Sequence, residues 1–252
     1  MRAHSPKPLS QRLPTSAASN SSRRCATAEA EPTTTRAAVT RSASTSSVAA
    51  TLPPLFDGLR LAAREIGGVQ IQNAGTVAGN LCNASPAADG VPPLLALDAR
   101  VEIADTAGCT NVALADFIRG NRDTVLRPDQ LLTAILVPKP THAASSHFIK
   151  LGARKYLVVS IVIVAATVET DSGRVSAARV AVGSASAVAQ RLPLLEAALA
   201  GEPCDAGLGE FARMEHFAPL APLDDVRASR DYRLDAGLVL VRRVLNELGT
   251  RA

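Results

Sequence analysis

The sequence has very few aromatic residues: no Trp, two Tyr and five Phe occur among 252 residues. Aromatic rings provide the stacking surfaces on which many proteins bind single-stranded nucleic acid, so this kind of recognition is not expected. Aliphatic residues must form the core instead. Because 47% of the residues are hydrophobic, the chain has enough of them for a globular protein.

Cysteine is also scarce, and long apolar runs are absent. The four cysteines (Cys25, Cys82, Cys109 and Cys204) lie far apart without a C-x-x-C pair, whereas zinc and iron–sulfur sites need clustered thiolates. We therefore expect no metal site and free thiols in a reducing compartment. The longest nearly apolar run, Tyr156 to Val168, is shorter than the about 20 residues that cross a bilayer. Since no secretory signal is visible either, we expect a cytoplasmic protein without a membrane span.

The net charge of +4 originates in the first part of the chain. Residues 1–51 carry seven basic and two acidic side chains, which leaves 20 basic and 21 acidic ones in residues 52–252. A basic surface for nucleic acid is therefore not expected on the folded part. Residues 1–51 are rich in Ser, Thr, Ala and Arg, so we predict a disordered leader. An organelle transit peptide and an artefact of a misplaced start or reading frame are also compatible with this composition.

The pattern of apolar residues changes at Leu52 and predicts regular structure from there onward. We predict a helix over 56–66 ended by Gly67-Gly68, a Gly/Asn-rich loop over 69–83, a short helix over 92–97, and strands over 101–104 and 131–137. Pro, Thr, Ala and Ser at 138–146 indicate a boundary. It divides the chain into domains 52–140 and 146–252.

The second domain combines strands with helices. We predict strands over 148–150, 157–168 and 177–182, a turn over 171–173, and helices over 191–200 and 236–248. The whole chain is therefore predicted to have an α+β fold with two lobes, the second built on an antiparallel sheet. Asp224 and Asp225, near Arg227, are predicted to form structural ion pairs or caps rather than an acid–base pair.

The stretch IGGVQIQNAGTVAGNLCNASPAAD, which ends at Asp89, is the most informative part of the sequence. Gly75 and Gly79 have no side chain, so the backbone there can approach a bound group closely. Their amides, together with Thr76 and Asn80, can surround phosphate oxygens, and Asp89 can accept hydrogen bonds from ribose or ribityl hydroxyls. Most loops of this composition are simple turns, so the residues alone leave both interpretations open.

The same stretch resembles the second flavin-contacting loop in the FAD-binding domain of molybdenum hydroxylases, the family of xanthine dehydrogenase and carbon monoxide dehydrogenase. The matching pieces are Gln70-Ile71-Gln72-Asn73, Gly75-Thr76, Gly79-Asn80, Ala84-Ser85-Pro86, Asp89 and Pro93 to Ala99. Phe148-x-Lys150-x-Gly152-x-Arg154 and Pro222-x-Asp224-Asp225-x-Arg227-Ala228-Ser229 resemble the family's C-terminal domain. The resemblance runs in order from Phe56 to Leu248.

This resemblance implies a partial FAD-binding lobe of the PCMH type, followed by the C-terminal α+β domain of these flavoproteins. It implies that FAD is bound by residues at eight positions: Gly75, Thr76, Gly79, Asn80, Ser85, Asp89, Leu132 and Lys150. Leu132 would pack near the flavin, and Lys150 would reach the cofactor from the C-terminal domain. No residue of the chain is expected to be catalytic.

The sequence departs from the family pattern at three places. The family has two adjacent glycines where this chain has Ala78-Gly79, and an arginine where it has Gln72. Nothing in residues 1–51 resembles the family's other Gly-rich loop, which wraps the pyrophosphate and the isoalloxazine of FAD.

The resemblance also implies a function, namely electron transfer through FAD. In the family, substrate is hydroxylated at a molybdopterin centre, and two [2Fe–2S] clusters pass the electrons to FAD, which reduces NAD or another acceptor. The expected partners are a molybdopterin-binding large subunit and a [2Fe–2S] small subunit. The alternative, from another class, is a flavin-less remnant that serves only as a scaffold for these subunits.

Overall fold

The computed structural model describes residues 34–35, 52–155 and 157–251. The predicted leader therefore lies outside the described residues, apart from Thr34 and Thr35. These two residues form a short strand that pairs in antiparallel fashion with Val137 and Pro138.

The described residues contain helices and strands in similar measure. The α-helices are α1 (Asp57–Glu65), α2 (Val69–Ala74), α3 (Val77–Asn83), α4 (Val91–Ala96), α5 (Leu114–Phe117), α6 (Pro193–Leu199) and α7 (Arg230–Gly249). The strands are β1 (Thr34–Thr35), β2 (Arg100–Ala104), β3 (Cys109–Ala113), β4 (Ile118–Gly120), β5 (Asp123–Thr124), β6 (Leu131–Pro138), β7 (Ala143–Leu151), β8 (Val162–Asp171), β9 (Arg174–Gly183) and β10 (Gln190–Arg191). Short 3-10 helices lie at Pro54–Phe56, Leu208–Phe211 and Met214–Phe217.

The strands form antiparallel sheets, one in each lobe. The first sheet has the order β1-β6-β2-β3 and the second the order β10-β9-β8-β7, while β4 and β5 form a separate hairpin. The predicted α+β class and the predicted antiparallel sheet of the second lobe are confirmed.

Strand β8 is buried on both faces and joins the two lobes. Because successive side chains of a strand point to opposite faces, Ile163 and Ala165 pack in one core with α1 and α4. Val162, Val164 and Ala166 pack in a second core with α6 and α7. This burial on both sides explains why the sequence of β8 is an almost unbroken apolar run.

The prediction of a loop over 69–83 is wrong, since this stretch forms α2 and α3. Helix α2 buries none of its residues, so it leaves no hydrophobic period in the sequence. Helix α3 begins with a cap at Thr76 and ends at Ala84, which adopts the left-handed conformation with φ of 46°. The glycines and asparagines, taken as loop signals, are compatible with these short capped helices.

Several other boundaries differ from the prediction. Strand β8 begins at Val162 rather than at residue 157, because Leu157 has a φ of 51° that extended strands do not adopt. Helix α7 begins at Arg230, six residues earlier than predicted, after the Ser229 cap. Cys109 is disulfide-bonded and not free, because cysteines far apart in sequence can meet in a fold.

Candidate functional site

Thr76 lies between α2 and α3, at the start of the predicted binding stretch. Its hydroxyl oxygen accepts a hydrogen bond from the Gly79 amide at 3.0 Å and caps α3. A Cβ atom at Gly79 would lie 3.0 Å from this hydroxyl oxygen, and one at Gly75 would lie 2.8 Å from the carbonyl oxygen of Ile71. A side chain at Gly75 would therefore force the backbone to shift, whereas one at Gly79 would crowd the Thr76 hydroxyl.

Asn80 connects α3 to the segment that carries Asp89. Its side-chain oxygen accepts a hydrogen bond from the Gly90 amide at 3.2 Å. A Cβ atom at Gly90 would lie only 2.7 Å from that oxygen, so the absence of a side chain permits the contact. Through Asn80, the capped corner at Thr76 is held next to Asp89.

Asp89 and Lys150 form a buried ion pair where the two lobes meet. Lys150 Nζ lies 2.8 Å from Asp89 Oδ2, and the two side chains are only 8% and 9% exposed. Ser160 donates its hydroxyl to the other carboxylate oxygen, Oδ1, at 2.9 Å. Protein groups therefore engage both oxygens of Asp89.

The environment of Asp89 disfavours its charged form. Burial is the largest influence and raises the pKa of the Asp89 carboxyl above its ordinary value. The ammonium group of Lys150 and the hydroxyl of Ser160 act in the opposite direction and lower that pKa. The carboxylate therefore depends on Lys150 for its charge at this depth.

Two further predicted site residues are Leu132 and Ser85. Leu132 is half-buried in β6, opposite Ile103 of β2, and packs against the first core. The Ser85 hydroxyl oxygen accepts a hydrogen bond from the Ala87 amide at 3.3 Å. Leu132 thus packs against the first core while part of its side chain stays exposed, and Ser85 stabilises its own turn.

Gln72, which stands where the family has arginine, holds α2 against α1. Its side-chain amide donates a hydrogen bond to the carbonyl oxygen of Arg64 at 3.1 Å. The substitution thus leaves a polar side chain that stabilises the corner locally.

Two buried polar residues near the site were not predicted from the sequence. Ser160 is only 1% exposed and Arg233 only 2%. Arg233 donates hydrogen bonds to the carbonyl oxygens of Ile161 (2.5 Å) and Ser184 (2.9 Å). The only sequence signal for Ser160 is a polar residue within an apolar run, since a buried hydroxyl must find a partner.

The prediction for Asp224 and Asp225 is confirmed, because both have structural roles. Asp225 pairs with Arg227 at 2.5 Å and with Arg233 at 2.6 Å. The Arg227 side chain is the largest cause of a lowered pKa at Asp225. Asp224 accepts a hydrogen bond from the Arg230 amide, the first of α7.

Two models of known protein families match the chain, one for each lobe. Residues 25–140 match the FAD binding domain in molybdopterin dehydrogenase, and residues 147–248 match the CO dehydrogenase flavoprotein C-terminal domain. Together they cover most of the chain in the order that the sequence motifs predict. The chain belongs to the flavoprotein subunits of the molybdenum hydroxylases.

Individual relatives carry several functional names. The xanthine dehydrogenase FAD-binding subunit of Escherichia coli O157:H7 is 31% identical over 188 residues, which are 74% of this chain and 64% of that protein. The nicotine 6-hydroxylase medium subunit of Paenarthrobacter nicotinovorans is 30% identical over 75% of this chain and 66% of its own length. This flavoprotein-subunit homologue thus spans less than two thirds of the length of these relatives.

Two solved structures have a similar fold. Quinoline 2-oxidoreductase from Pseudomonas putida 86 has a TM-score of 0.67 at 27% identity and covers 76% of this chain and 66% of its own. CO dehydrogenase from Oligotropha carboxidovorans has a TM-score of 0.75 at 24% identity and covers 83% and 73%. At 24% identity, the similarity to CO dehydrogenase shows only that the fold is shared. No helix in the described part of this flavoprotein-subunit homologue is long and apolar enough to cross a membrane.

Proposed function

We propose that this chain is the FAD-binding, electron-transferring component of a molybdenum hydroxylase of the xanthine dehydrogenase type. The observation that carries the proposal is the corner built from Thr76, Asn80 and Asp89, joined to Lys150 of the second lobe. These are residues at which the resemblance places the flavin. Family membership over both lobes supports the same assignment.

The donor set of this corner fits a nucleotide cofactor. Gly75 and Gly79 leave the backbone bare beside the Thr76 hydroxyl, and Lys150 supplies an ammonium group whose charge Asp89 balances. We propose Gly75, Thr76, Gly79, Asn80, Ser85, Asp89, Leu132 and Lys150 as the cofactor-binding residues. Because both oxygens of Asp89 already have protein partners, its contribution is to orient Lys150 as well as to accept hydrogen bonds from cofactor hydroxyls.

The partners in this proposal are a molybdopterin-binding large subunit and a [2Fe–2S] small subunit. FAD, when bound, accepts electrons from the clusters and passes them to an acceptor, while the protein holds and orients it. Relatives of similar identity are named for different substrates, xanthine and nicotine among them, so we assign substrate choice to the molybdopterin-binding subunit. A cytoplasmic location belongs to the same proposal, and fractionation of host cells tests it.

The scaffold alternative is not favoured by the comparisons, since the FAD-binding model matches the first lobe. The two functions make opposite predictions for the purified full chain. After FAD is added and the excess removed, the visible spectrum should show a stoichiometric amount of retained flavin. A folded but colourless protein would instead support the scaffold.

A pair of threonine variants tests the site itself. Thr76→Val removes the hydroxyl in the proposed site, and we expect FAD affinity to fall about fivefold, the effect of one hydrogen bond of ~1 kcal/mol. Thr76→Ser keeps the hydroxyl and should bind FAD normally. Thr124→Val is the matched control, because the Thr124 hydroxyl also accepts one backbone amide, that of Leu126, outside the site. Equal losses in Thr76→Val and Thr124→Val would contradict this assignment.

A further inference from the structure

We propose that Arg233 of α7 is a positioning residue that holds the Asp89–Lys150 pair in place from the opposite side of the sheet. This inference rests on the proposed function only in assigning the pair to a cofactor site. The contacts themselves are independent of any cofactor, and so is the first of the two measurements below.

The guanidinium group of Arg233 connects three separate segments. Its Nη1 donates to the carbonyl oxygens of Ile161 at 2.5 Å and Ser184 at 2.9 Å, and its Nη2 donates to Asp225 at 2.6 Å. The Arg233 side chain is only 3% exposed, and its bond to the Ile161 carbonyl oxygen is buried, whereas Asp225 is 29% exposed. Asp225 is itself fixed by Arg227, so the guanidinium group has an anchored counter-charge.

The first connection runs through Ile161. The Ile161 amide donates to the carbonyl oxygen of Leu151 at 2.7 Å, which fixes the end of β7 next to Lys150. Ile161 also directly follows Ser160, whose hydroxyl holds Asp89 Oδ1. A shift of the Ile161 backbone would therefore move groups on both sides of the ion pair.

The second connection runs through Ser184, at the end of β9. The Ser184 amide donates to the carbonyl oxygen of Pro86 at 3.1 Å, and Pro86 lies three residues before Asp89. Arg233 thus binds the carbonyl group of one residue, Ile161, whose amide supports the end of β7 next to Lys150, and of another, Ser184, whose amide supports the Asp89 segment. The planar, forked guanidinium group can reach these acceptors at once, whereas an ammonium group cannot reproduce that geometry.

Arg242 provides a matched control on the same helix. Its Nε and Nη2 both donate to the carbonyl oxygen of Ala212, at 3.2 and 2.9 Å. Ala212 packs in the second core with α6 and α7, away from the first core that includes Ala88. Arg242 is exposed whereas Arg233 is buried, so Arg242→Lys controls for the loss of a guanidinium–carbonyl contact on α7 without touching either connection.

The first measurement is the acetylation rate of Lys150 in the folded full chain, followed by mass spectrometry without FAD. In the wild type this amine is protected by its burial. Arg233→Lys should raise the rate by roughly two- to thirtyfold, the range of measured couplings through such networks, whereas Arg242→Lys should leave it unchanged. An unchanged Lys150 rate in Arg233→Lys, or an equal rise in Arg242→Lys, overturns the proposal.

The second measurement is FAD affinity in the same variants, with Ser160→Ala added. Arg233→Lys should weaken binding by a similar factor. Arg233→Lys and Ser160→Ala both act on Asp89, so the loss of FAD affinity in the double variant should be smaller than the sum of the two single losses. A loss equal to that sum would argue against the Ile161 connection. A wild type that binds no FAD, with a Lys150 rate that still responds to Arg233→Lys, would contradict the proposed function and leave the positioning role intact.

A second variant covers the case in which Arg233→Lys fails to fold. Asp225→Asn keeps the shape of the side chain but removes the counter-charge of Arg233, so a smaller rise in Lys150 acetylation is expected. No rise in folded Asp225→Asn would then count against the proposal.

Discussion

At the scale of single residues, the charge balance of the lobe junction depends on Asp89 and Lys150. Each side chain is less than one tenth exposed, so neither charge is hydrated by bulk water. A buried pair of this kind contributes little net stability, but removal of one partner leaves an uncompensated charge. The pair therefore makes the junction sensitive to single substitutions.

We predict that Asp89→Asn and Lys150→Met each lower the free energy of unfolding by roughly 3–5 kcal/mol, as measured for broken buried pairs. The double variant should be much more stable than the sum of these losses implies, because no unpaired charge remains. Urea denaturation measures all three, with the exposed Lys139→Met as the control. Additive losses in the double variant would mean that the two charges do not interact.

The pH dependence of Lys150→Met has a defined sign. Burial raises the pKa of Asp89, and Lys150 opposes this effect, so without Lys150 the carboxyl binds its proton more tightly in the folded state than in the unfolded state. The Asp89 carboxyl then stabilises the folded variant below the pKa that it has in the unfolded chain. This stabilisation is lost as the pH rises through the higher pKa that it has in the folded chain. Unfolding curves over this window should show the variant recovering stability as the pH falls.

At the scale of elements, α4 is the piece of the first lobe that contacts the second sheet most closely. All six residues of α4 are buried, and the helix packs on β8 and β9. Gly183, at the end of β9, permits this approach, since a Cβ atom there would lie 2.7 Å from Cγ of Pro92. The close approach of α4 to the sheet therefore depends on the absence of a side chain at Gly183.

Gly183→Ala should lower the free energy of unfolding by roughly 1–3 kcal/mol, because α4 must shift to accommodate the methyl group. Gly120→Ala is a suitable control, since its Cβ would meet Asp123 at an ordinary 3.9 Å. Thermal or urea unfolding gives the comparison. If both variants unfold like the wild type, the contact between α4 and β9 is looser than the structure indicates.

At the scale of the whole molecule, the lobes matched by two family models share a core. Phe148, Ile163 and Ala181 of the second sheet belong to the same buried cluster as the residues of α1 and α4. Separation of the lobes would expose this apolar face to water, at a cost of about 25 cal/mol per Å². The sequence-based boundary at 138–146 stays a prediction about domain organisation, but it does not divide the core.

We therefore expect that residues 141–252, which keep strand β7 whole, lack a cooperative unfolding transition or aggregate when produced alone. Co-expression with residues 1–140 should restore a soluble complex with the transition of the intact chain. Circular dichroism during heating distinguishes the cases. A fragment that melts cooperatively at the temperature of the whole protein would show that α1 and α4 are dispensable for the second lobe.

The sequence by itself determined the features that depend on local patterns. Helices α1 and α4, strands β2 and β6 and the α+β class followed from apolar periodicity, and the linked motifs around Thr76 and Lys150 indicated the family. It missed α2 and α3, because α2 has no buried face and hence no period. It also missed the early start of α7, which depends on the Ser229 cap.

Only the tertiary structure decided which of the motif residues act together. Asp89 and Lys150 are 61 residues apart in the sequence, yet they form an ion pair at the lobe junction, and Ser160 donates a hydrogen bond to the Asp89 carboxylate. The positioning role of Arg233 could be inferred only from the fold, which brings to it the carbonyl groups of Ile161, just before β8, and Ser184, just after β9. The reason is physical: local patterns report which residues are buried, but the partner of a buried polar group is chosen by long-range packing.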